Sequence, residues 1–177
     1  ERIYHLVMLP TVKEDESIVE EAFRSLLRSP YRTDRMIVVL GGEERDQENF
    51  HLIAEKMRTK YADKFANFIT TVHPYGLPGE IAGKGSNLHH MAGETKKVID
   101  AKGIPYDDII VSAFDIDTVA HPQYFAKLSH LFLTEQNPTR TSYQPVTVFS
   151  NNIWSAAAPV RIAAFGTTFW LLGELVR

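Results

Sequence analysis

Two carboxylates one residue apart, Asp115 and Asp117, follow directly on the apolar run Ile109, Ile110, Val111, Ala113 and Phe114. Such a run reads as a strand buried on both faces of a parallel sheet. In open α/β sheets ligands sit outside the carboxyl ends of the strands, which is where these acids fall. Placed there, they suit a hard divalent cation, held directly or through water, that takes phosphate oxygens as further ligands. A solvated turn with an N-capping Asp is the plainer reading of the same spacing. His121-Pro122 opens the next segment, and Pro122 suits the first turn of a helix.

A second group lies upstream in Gly83-Lys84-Gly85-Ser86-Asn87-Leu88, at the end of a loop carrying Pro74, Gly76, Pro78 and Gly79. Glycines on both sides of a lysine, just before a helix, allow close approach of a phosphate. The spacing from Gly79 and the missing Lys-Ser/Thr pair exclude a Walker A loop. A surface loop with a solvated lysine is the alternative. His89-His90 reads as a helix-face pair and not a metal site, since sequence neighbours on a helix point in different directions. A third acidic group, Glu43, Glu44 and Asp46, follows a turn expected at Gly41-Gly42.

The elements that must position these groups alternate. His5–Leu9, Met36–Leu40 and Phe68–Val72 read as buried strands. Between them run amphipathic helices marked by Ile18, Val19, Ala22, Phe23, Leu26 and Leu27, then by Phe50, Ile53, Ala54 and Met57. A further helix carries Leu88, Met91, Ala92, Val98 and Ile99, and another Tyr124, Phe125, Leu128, Leu131 and Phe132. Strand–helix alternation predicts an α/β fold with a mainly parallel central sheet built from βαβ units. Thr141–Ser150 is expected as a strand bent or placed at an edge by Pro145. Residues 161–177 are expected as a core or interface helix, with a membrane-surface position as a weaker option. The uncharged run Ile162–Gly173 is shorter than the roughly 20 residues of a membrane span.

Composition narrows the function classes. The chain has 177 residues, 44% hydrophobic and 23% charged, with a net charge of −3. That balance is ordinary for a globular domain and gives no electrostatic case for nucleic acid or an anionic membrane. The absence of cysteine excludes disulfides, thiolate metal sites and cysteine nucleophiles, and fits the cytoplasm. A chain that starts at Glu1 and ends at Arg177 inside a helix-like segment is expected to be an excised piece of a longer protein.

The order of these parts resembles the GT-A catalytic domain of family 2 glycosyltransferases, a Rossmann-like fold. The matching pieces are Leu9-Pro10-Thr11 with Glu14 after the first strand, the acidic loop after the second, Gly-Lys84-Gly-Ser-Asn87-Leu opening a helix, and Asp115-Ile-Asp117. The resemblance covers most of the chain. It implies a nucleotide-diphosphate sugar donor, with Pro10, Thr11, Glu14 and one of Glu43, Glu44 or Asp46 near base and ribose. The loop Gly-Gly-Glu-Glu-Arg-Asp stands where the family usually has paired aspartates, so which acid meets the nucleoside stays open. Lys84 and Asn87 are expected near the base or diphosphate. Asp115 and Asp117 are expected to hold Mg2+ or Mn2+ on the diphosphate.

The implied reaction is inverting displacement at the anomeric carbon, the metal neutralising the leaving diphosphate and a carboxylate taking the acceptor's proton. After Asp117 only Glu135 and Glu174 remain as acids, neither in a matching context, and the Gln-x-x-Arg-Trp signature of processive synthases is missing. The reading is therefore one donor-binding domain over residues 1–177 that lacks most of the acceptor side. Its catalytic base is unknown, and its acceptor is a saccharide or lipid-linked. The parent protein would be cytoplasmic or on the cytoplasmic face of a membrane. Two alternatives stand beside it. One is a haloacid-dehalogenase-like phosphatase using Asp115 and Asp117, with Val148–Asn152 as an imitation of its second motif. The other is a non-catalytic nucleotide-binding module.

Overall fold

A computed structural model of the chain describes residues 2–81, 83–148 and 153–175. The chain divides into two compact units, 1–136 and 137–177. In the first, four strands, β1 (Tyr4–Pro10), β2 (Met36–Glu43), β3 (Asn67–His73) and β4 (Ile109–Ala113), form one sheet in the order β3-β2-β1-β4. Every pairing is parallel. The helices of this unit are α1 (Glu16–Leu27), α2 (Gln47–Tyr61), α3 (Lys84–Lys102) and α4 (Tyr124–Thr134). The architecture is the α/β arrangement expected from the alternation of apolar runs, and it is Rossmann-like.

Successive side chains of a strand point to opposite faces, so each central strand feeds two cores. Val7, Leu9, Val38 and Leu40 pack with Val19, Phe23 and Leu26 of α1, Phe50 and Met57 of α2 and Phe125 of α4. Leu6, Met8, Ile37 and Val39 pack with Met91 and Ile99 of α3 on the other face. Met36 through Leu40 are all fully buried. Each such side chain contributes roughly 1.5–3 kcal/mol by burial, so β2 is the spine of the unit.

Four details differ from the sequence expectations. Gly41 and Gly42 are not a turn: β2 continues through them to Glu43, and Gly41 pairs with Pro10 and Thr71. A Cβ on Gly41 would lie 2.4 Å from the Met91 sulfur, and one on Gly42 would lie 2.3 Å from the Phe50 ring. The glycines therefore let α3 and α2 close onto the two faces of the strand. β4 is not buried on both faces. Ile110 and Ser112 are buried, but Val111 is 57% exposed and Ala113 is exposed too, because β4 ends the strand order and α3 packs over β3, β2 and β1. Ile18, Ala92 and Leu131, expected on buried helix faces, are exposed, and Thr95 is buried on α3 instead. Pro122 lies in the turn ahead of α4, not inside it.

In the second unit, residues 141–148 carry no strand pairing, so the expected strand is not formed there; Phe149–Asn152, which complete that segment and the phosphatase-like motif, lie outside the described residues. The unit's helix, α5 (Ala158–Leu175), begins slightly before the expected position. It is not a core helix: Ile162 is 73% exposed, and Phe165, Phe169, Trp170 and Leu172 are exposed as well. Among the described residues no helix is long and apolar enough to cross a membrane.

Candidate functional site

The carboxyl ends of the four parallel strands bring the sequence-predicted residues to one edge of the sheet. After β4, Phe114, Ile116 and Ala120 are buried in the core while Asp115 and Asp117 are exposed. A turn in which Thr118 N–H donates to the Asp115 carbonyl at 2.9 Å shapes this segment. The alternation of apolar anchors with carboxylates thus leaves both acids outward and their backbone fixed from beneath.

Lys84 is the first residue of α3. Its Nζ reaches Asp115 Oδ1 at 2.5 Å, so the glycine-flanked lysine and the first carboxylate meet. Gly83 N–H donates to Ser86 Oγ, and Ser86 Oγ–H lies 2.8 Å from the Gly83 carbonyl, which fixes the start of the helix. Asn87 is buried. Its amide donates to the Gly41 carbonyl at 3.2 Å, and its own Oδ1 has no hydrogen-bond partner among the described residues. The Gly41 carbonyl also accepts from Thr11 N–H at 2.8 Å, so one peptide group of β2 ties down the loop after β1 and the first turn of α3.

The loop after β1 folds on its own acid. Thr11 Oγ1 donates to Glu14 Oε2 at 2.7 Å, and Val12 N–H donates to the same oxygen. Lys13 takes a left-handed backbone with φ of 64° and donates its N–H to Asp46 at 2.8 Å. Pro10 is half-buried where β1 meets Gly41. Glu14 and Asp46 therefore hold loop geometry here.

The acids expected in a loop after β2 separate into distinct roles, Glu43 being the last residue of the strand itself. Glu44 is surface-directed and accepts from Tyr75 N–H at 2.7 Å. Glu43 is buried, and its carboxylate faces Nδ1 of His73 at 3.3 Å, on the residue directly opposite it in the β2–β3 register. Nε2 of His73 meets Glu80 at 2.9 Å. His90 of α3 places its ring edge-on to His73 at 5.5 Å between centroids. Burial pulls the His73 pKa down, but the hydrogen bonds and charges of Glu80 and Glu43 outweigh it and hold the imidazole above its usual value. Sequence reading missed His73 and Glu80. The signal was a histidine closing an apolar strand, whose register partner is an acid.

Among the described residues no group of three or more His, Asp or Glu side chains forms a metal cage. Asp115 and Asp117 offer two hard oxygen ligands on an open turn. That set fits Mg2+ or Mn2+, ions that keep waters and take phosphate oxygens as their other ligands. No known protein-family model matches the chain, and no curated protein matches it.

Proposed function

We propose that this chain is a GT-A-type domain that binds a nucleotide-diphosphate sugar through a divalent metal, of the kind found in family 2 inverting glycosyltransferases. The observation that carries the reading is the contact between Lys84 and Asp115, which brings the glycine-flanked cation beside the acidic turn at the carboxyl ends of the strands. A diphosphate seated there would meet a lysine charge and the start of α3 on one side. Asp115 and Asp117 would present a metal from the other. The metal, when bound, neutralises charge developing on the leaving diphosphate. Lys84 supplies a further positive charge, Asn87 fixes the first turn of α3, and Thr11 with Glu14 shapes the wall after β1. Glu44 is the acid of the second loop best exposed to a nucleoside. The acceptor, a saccharide or a lipid-linked group, and the proton-accepting base lie beyond this set of residues.

Calorimetric titration with nucleoside diphosphates, with Mn2+ or with chelator, tests the reading. Binding is expected to strengthen with the ion, and Asp117→Asn is expected to abolish that gain. Equal affinity with and without the ion would rule out the metal-bridged site. Hydrolysis of small phosphoesters through Asp115 would instead support the phosphatase reading.

A further inference from the structure

The loop from Pro74 to Ile81, which leads toward Lys84, is held by little apolar packing of its own: Tyr75, Leu77 and Ile81 are 65%, 40% and 91% exposed. Its ties to the sheet are polar. Tyr75 N–H donates to Glu44, and Glu80 meets His73. His73 is buried between two carboxylates, one on each ring nitrogen. A neutral imidazole carries one N–H and can satisfy only one of them, so both contacts together require the doubly protonated ring.

The two carboxylates are not equivalent. Glu43 has a side-chain exposure of 5% and Glu80 of 31%. When the ring loses a proton, the one that remains belongs on Nδ1, because an unpaired charge on buried Glu43 is the costlier state. Nε2 then turns a lone pair toward the Glu80 carboxylate, which can move to water. Among the described residues, His90 of α3 also packs on His73, and a charge there opposes protonation of His73.

We propose that Glu43, His73 and Glu80 form a proton-operated latch that fastens the Pro74–Ile81 loop to the end of the sheet and opens when His73 becomes neutral. The latch stands on this geometry alone. Only its consequence for ligand binding at Lys84 rests on the proposed function.

The test uses the whole chain without ligand. His73 is titrated through its ring protons by NMR, and hydrogen exchange of the Tyr75–Ile81 amides, corrected for intrinsic rates, is followed over the same range. Protection of these amides is expected to fall roughly tenfold, the scale of one charge-assisted hydrogen bond, with the same midpoint as the His73 titration. Glu80→Ala is expected to give low protection at every pH and to shift the His73 midpoint down. Loop protection that ignores the His73 titration would overturn the latch. So would Glu80→Ala with wild-type protection, or a His73 that stays in one protonation state from pH 6 to 9.

Discussion

Lys84 Nζ and Asp115 Oδ1 lie 2.5 Å apart although the residues are separated by 31 positions, and both side chains remain substantially open to water. Exposed pairs of this kind contribute about 0–1 kcal/mol to stability. Lys84→Ala should therefore leave the melting temperature almost unchanged. Under the proposed function, the same substitution should weaken nucleoside-diphosphate binding about tenfold, through loss of a charge-assisted bond. Differential scanning fluorimetry and calorimetry on one preparation separate the two effects. A large drop in melting temperature with normal binding would make Lys84 structural.

Gly41 and Gly42 give a graded stability prediction. The nearest atoms in the way of a Cβ at Gly41 are the Met91 sulfur and its neighbouring carbon, which belong to a flexible side chain, with Asn87 Oδ1 next at 3.0 Å. At Gly42 they are atoms of the Phe50 ring, which cannot fold aside. Overpacking a dense core costs about 1–3 kcal/mol. Gly42→Ala is expected near the upper end of that range and Gly41→Ala near the lower, measured by urea unfolding. Equal or reversed costs would mean that the helices do not press on β2 in this way.

His5 links the fold to acid. Its ring lies between Tyr31 and Phe125 and bonds Ser129 at 2.8 Å, and burial pulls its pKa down to about 4. In the unfolded chain the same ring protonates near 6.5. As pH falls between these values the unfolded state takes up the proton first, so stability declines by up to roughly 3 kcal/mol. His5→Gln should flatten unfolding free energy against pH in that window, whatever its baseline. His73 runs the other way. Its raised pKa gives stability that is complete below the unfolded value and is lost as pH rises through the folded one.

Much of the fold was legible because hydrophobic burial writes itself as period. Met36–Leu40 and the Val19–Phe23–Leu26 face could be read directly, and both are in the core. What could not be read depends on partners distant in sequence. A Gly-Gly pair signals a turn in most local contexts, and only Met91 and Phe50 pressing on opposite faces reveal a strand. The run Ile109–Phe114 looks buried throughout, but its place at the end of the strand order leaves Val111 outside. In the candidate site, Asp115, Asp117 and Lys84 stood out by type and spacing. The pairing of Glu43 with His73 is a matter of strand register, which no single segment encodes.

The anchoring of Ile116 beneath the two exposed aspartates has a practical result. The backbone that presents them is continuous with the buried core of Phe114, Ala120 and Phe125, so it is expected to loosen only when that core melts. A ligand held at Asp115 and Asp117 would then be released by global unfolding and not by local fraying. Its binding would stabilise the folded chain by about 2.7 kcal/mol at a free concentration one hundred times its dissociation constant, and so raise the midpoint of the whole transition. Heat denaturation of this chain thereby becomes a sensor of occupancy, able to rank candidate nucleotides and ions before any reaction is known.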